Sequence, residues 1–70
     1  MIKTIKMIRG ERQPIQMGPG GPMLWIENGE PFDVDPSITL TPIGENTFRA
    51  DWQVGRENWS QQFQIVTIEK

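Results

Sequence analysis

Thr47-Phe48-Arg49-Ala50-Asp51-Trp52-Gln53-Val54 is the stretch that decides the fold. Phe48, Ala50, Trp52 and Val54 alternate without a break with Thr47, Arg49, Asp51 and Gln53, the period of two that a strand shows when one face is buried and the other is wet. Toward the C-terminus, a four-residue loop at Gly55-Arg56-Glu57-Asn58 would set Val54 opposite Trp59, Trp52 opposite Gln61, Ala50 opposite Phe63 and Phe48 opposite Ile65. Toward the N-terminus, a three-residue loop at Gly44-Glu45-Asn46 would set Leu40 opposite Ala50 and Ile38 opposite Trp52. Both loops converge on one apolar face, so the reading predicts a three-stranded antiparallel meander over residues 38–43, 47–54 and 59–68. Its other face is hydroxyls and amides with Arg49 and Asp51, broken only by Val66 and Ile68, which need cover from another strand or another chain.

The first half of the chain reads the same way. Asn28-Gly29 between two apolar runs supplies the two positive φ angles of a type I′ hairpin turn. That turn pairs Glu27 with Glu30 and Ile26 with Pro31, and it places Met23, Trp25, Phe32 and Val34 together on the expected core face. Gly18-Pro19-Gly20-Gly21-Pro22 is a loop, because proline lacks a donor and glycine loses the most entropy on ordering. Arg12 to Met17 reads as a short strand with Ile15 and Met17 on one face, and Pro14 confines it to an edge or an entry. Met1 to Ile8 is rich in β-branched residues and reads as a strand before Arg9-Gly10. No stretch keeps a helical apolar stripe for ten residues before Gly or Pro interrupts it. The expectation is one all-β domain over residues 1–70, a small antiparallel barrel or sandwich of about five to seven short strands.

Composition narrows the chemistry. The 70 residues contain neither Cys nor His, which removes disulfides, thiolate nucleophiles, the usual zinc and haem ligands and the commonest general base. Ser37 and Ser60 have no histidine to activate them, and the chain is too short to build a deep cleft around paired carboxylates. Asp33-Val34-Asp35 resembles the opening of a calcium loop, but Ile38 and Gly44 stand where that loop requires Gly and Glu. Gly18 to Pro22 is not followed by the Gly-Lys-Ser/Thr of a phosphate cradle. An enzyme is therefore not expected, nor is any metal or cofactor. Without disulfides, so short a chain leans on its three Trp and three Phe residues and on association.

Charge is unevenly placed. Residues 1–12 carry four cations against one acid, whereas residues 13–70 carry three cations against eight acids, for a net charge of −2. An overall acidic chain argues against nucleic acid as the partner, since phosphate backbones require clustered positive charge. Lys3 and Lys6 fit a solvated edge strand that deters stray pairing. No apolar run approaches a membrane span or a secretion signal, so a cytoplasmic or particle-associated protein with no membrane partner is expected.

These features suit a non-enzymatic protein-interaction or assembly module. Small accessory or structural proteins of viruses and mobile elements share this size and chemistry. A glycan-binding or nucleic-acid-binding β domain is the alternative, since indole faces stack on sugars and bases. The residues expected to meet the partner, another protein or a second copy of the chain, are Lys3, Lys6, Arg9 and Arg12 of the basic segment, Gly20 and Gly21 of a mobile loop, Trp59, and the apolar pair Val66 and Ile68.

Overall fold

The computed structural model describes residues 2–69; the methionine of the expected first strand lies outside them. Seven strands follow one another: β1 (Ile2–Ile8), β2 (Arg12–Gln16), β3 (Met23–Glu27), β4 (Glu30–Val34), β5 (Thr39–Gly44), β6 (Thr47–Val54) and β7 (Glu57–Ile68). They form a four-stranded sheet in the order β1-β7-β6-β5 and a three-stranded sheet in the order β2-β3-β4. The sheets do not close into a barrel. They share one sandwich-like core, in which Ile5, Met7, Ala50, Trp52, Phe63 and Ile65 of the first sheet meet Ile15, Leu24 and Ile26 of the second. All three strand prolines, Pro14, Pro31 and Pro42, fall on edge strands, where a missing donor costs no ladder bond.

The meander is present as β5-β6-β7, with Leu40 opposite Ala50 as expected. Its C-terminal hairpin is tighter than the sequence reading. Gly55 adopts φ 60° and turns the chain with Arg56 in a two-residue loop, so Val54 pairs with Glu57 and Trp52 with Trp59 rather than Gln61. Glycine at the first central position is itself a two-residue hairpin signal, and its twist matches the strands better than a four-residue loop does. A shift of two residues preserves the faces, so Phe63 and Ile65 remain buried. The β5–β6 connection also tightens, with Asn46 at φ 56° and Ile43 bulged out between the Pro42 and Gly44 pairings.

The larger correction concerns the 23–34 hairpin. Asn28 and Gly29 form the expected turn at φ 53° and 83°, with Glu27 opposite Glu30 and Ile26 opposite Pro31. Phe32 is then an extra residue in a β-bulge, and the next pairs are Trp25 with Asp33 and Leu24 with Val34. Leu24 and Ile26 are fully buried, whereas Met23 and Phe32 stand exposed on the outside and Trp25 is half-buried. Met23-Leu24-Trp25-Ile26 is apolar in both phases, so alternation within β3 cannot choose its buried side. Its neighbour chooses: β2 pairs Ile15 with Leu24, and Ile15 and Met17 both enter the core.

β1 does not add to an antiparallel array. It pairs in parallel with β7, Ile5 beside Ile65 and Ile8 beside Ile68, and forms an edge of the larger sheet. Ile5 and Met7 face the core, and Thr4, Lys6 and Ile8 face outward.

Candidate functional site

Two outward faces carry apolar residues that the core does not use. On the three-stranded sheet, Arg12 opens β2, Trp25 lies mid-way along β3 and the bulge turns Phe32 outward from β4. The Arg12 guanidinium lies 5.7 Å from each of the two ring centroids. A delocalised, weakly hydrated cation is held there by the negative faces of both rings. Met23, 42% exposed, and Phe32, 45% exposed, extend this surface, and Glu27, Glu30 and Asp33 border it. Arg, Trp, Phe and Met are the residue types enriched where proteins meet.

The second face belongs to β1 and β7. In-register parallel pairing sets Lys6 beside Val66 and Ile8 beside Ile68, all pointing away from the core. Ile8, Val66 and Ile68 are 37%, 37% and 43% exposed. The apolar pair singled out in the sequence is therefore real surface, widened by Ile8. β1 lies beside these residues in the sheet and does not cover them.

The remaining expected partner residues scatter. Arg9 follows β1 and forms an exposed ion pair with Glu69, its Nε donating to the carboxylate at 2.9 Å. Lys3 sits on the edge strand, and Arg12 belongs to the opposite face, so the four cations make no continuous stripe. Gly20 and Gly21 lie in a loop seated on β6. The Met17 amide donates to the Pro22 carbonyl at 2.8 Å across its base, and the Trp52 indole N–H donates to the Pro19 carbonyl at 2.7 Å. A Cβ at Gly20 would come within 2.6 Å of Val54 Cγ2, so the backbone approaches β6 as closely as only glycine permits.

Trp59 is 40% exposed and lines a shallow cleft of about 410 Å³ together with Asp51, Gln53 and Asn58. A neighbouring cleft of about 380 Å³ runs between the glycine-rich loop and Asp35-Pro36-Ser37. The Asp35 carboxylate accepts bonds from the Ser37 amide and hydroxyl, both at 2.8 Å. The bond from the amide first, and that from the hydroxyl second, hold its pKa below the ordinary aspartate value. That carboxylate is engaged in a turn, and among the described residues no three acidic side chains gather as a metal site.

Met23, Trp25 and Phe32 were expected in the core and Ile8 was not singled out. The apolar character of both phases of β3 was the available signal that one set must face outward. No protein-family model, curated protein or solved structure matches the chain.

Proposed function

We propose that this protein is a non-enzymatic protein-interaction or assembly module. One observation carries the reading: aromatic and aliphatic residues are exposed on the outer faces of both sheets, in a chain short of core. Isolated exposed apolar residues are ordinary, but Arg12, Met23, Trp25 and Phe32 are neighbours, as are Ile8, Val66 and Ile68. The test is site-specific photo-crosslinking in native extract, with the reactive group at position 32, 66 or, as a polar control, 53. Discrete protein adducts from positions 32 or 66 and none from 53 support the reading. Equal, diffuse labelling at all three overturns it.

Glycan binding is the second reading, favoured by the exposed Trp59, which lines a shallow cleft with Asp51 and Asn58. Neutral sugars bound there would quench Trp fluorescence with little dependence on salt, and Trp59→Ala would remove the change.

A further inference from the structure

We propose that the second-sheet face of one copy docks on the β1–β7 face of the next, so that the chain assembles head to tail. This rests on the interaction reading above and names its partner as a second copy. The two faces lie on opposite sides of the sandwich, because each is the outer side of a sheet whose inner side contributes to the shared core. Their chemistry is complementary. The aromatic face presents Trp25, Phe32 and Met23 around Arg12, and its border of Glu27, Glu30 and Asp33 sets three carboxylates against that one guanidinium. The aliphatic face presents Ile8, Val66 and Ile68 around Lys6.

Among the described residues, Lys6 is in no ion pair, whereas Arg9 is already neutralised by Glu69. Stacking like faces would bring acid to acid or lysine to lysine; stacking unlike faces brings Lys6 toward the acidic border and apolar centre to apolar centre. Such an interface is heterologous: each copy uses one face as donor and the other as acceptor, and growth continues until a ring closes or a filament forms.

Sedimentation of the purified chain over a wide concentration range tests this, using two surface variants whose folding is checked by circular dichroism. Phe32→Lys places a cation where the basic face must dock, and the double variant Val66→Lys/Ile68→Lys puts charge into the other apolar centre. The wild type is expected to grow past two copies, and each variant alone is expected to remain at the 8.1 kDa chain mass. Each variant should weaken association at least ~10-fold, as the loss of a central apolar contact does. Mixed in equal amounts, the two variants should yield a pair of chains and nothing larger, since each retains one intact and complementary face. A wild type that stays monomeric at every concentration, one that stops at two copies, or a mixture that fails to pair overturns the proposal. If photo-crosslinking in extract still gives adducts with a different protein, the interaction reading stands without the self-assembly.

Discussion

The Trp52 indole N–H donates to the carbonyl of Pro19, 33 positions earlier in the chain, and so ties the glycine-rich loop to the central strand of the meander. Trp52 is 4% exposed, so its ring fills the core while its nitrogen secures the loop. Trp52→Ala should cost about 3 to 5 kcal/mol and unfold much of the population, and Trp52→Phe should cost about 1 to 2 by losing the bond and part of the ring. Gln62→Ala on the outer face should cost under about 0.5. Urea denaturation of the three variants checks the order.

The close approach of the loop predicts a difference between two glycines that share a left-handed backbone. Gly10→Ala, at φ 87° with open space around it, should lose about 1 kcal/mol from backbone strain alone. Gly20→Ala, at φ 93° and meeting Val54 Cγ2, should lose clearly more. Part of that excess should return in a Val54→Ala background, measured as a double-mutant cycle.

The tight β6–β7 turn is open to a covalent test. Gln53 faces Asn58, and alternation from a two-residue turn makes this a closely spaced, non-hydrogen-bonded pair. A chain with Gln53→Cys and Asn58→Cys should oxidise readily to an intramolecular disulfide. Gln53→Cys with Ser60→Cys, the partners in a four-residue loop, should not. Efficient closure of the second pair alone would require the wider loop.

Glu27 faces Glu30 beside the Asn28-Gly29 turn, a like-charge pair in solvent. Glu30→Lys should stabilise by a few tenths of a kcal/mol up to about 1, with the gain fading at high salt. Gly29→Val should destabilise by more than about 1, because φ is 83° and a Cβ would crowd Thr67 Oγ1 at 3.1 Å. Thermal melts at two salt concentrations separate the effects.

Asp35 predicts a pH dependence. Its pKa is held below the ordinary value of 3.8 by the two hydrogen bonds from Ser37 in the folded turn. Its contribution to stability is therefore present above the unfolded value, and it is lost as the pH falls through the lower folded value. Asp35→Asn should flatten this acid limb and leave the slope near neutrality unchanged. NMR titration of the Asp35 carboxyl, with and without Ser37→Ala, reads the shift directly.

Strict alternation in Thr47 to Val54 and the Asn28-Gly29 pair made the meander and the first hairpin turn legible, because each signal is local. Which side of β3 is buried was not, since Met23 through Ile26 are apolar in both phases and the choice lies in Ile15 across the ladder. The outward turn of Phe32 depends on a bulge that no residue in β4 announces. Val66 and Ile68 stood out because they interrupt a polar face; Ile8 joined them only through a parallel register, and pairing between distant strands leaves no mark in local sequence. The aromatic face was not legible for the opposite reason, as its rings have the character of core residues in local sequence.

Parallel pairing of β1 with β7 has a consequence for the order of events during synthesis. Ile5 lies beside Ile65, so the strand made early waits for the strand made late, and the larger sheet is incomplete until the seventh strand has been made. The second sheet and the β5–β6 hairpin close over short stretches and are free to form first. Contacts so distant in sequence place folding among the slower small domains, on the order of milliseconds to seconds. During that interval Ile5 and Met7 are unshielded, and the lysines between and beside them keep the waiting strand in water and out of wrong pairings.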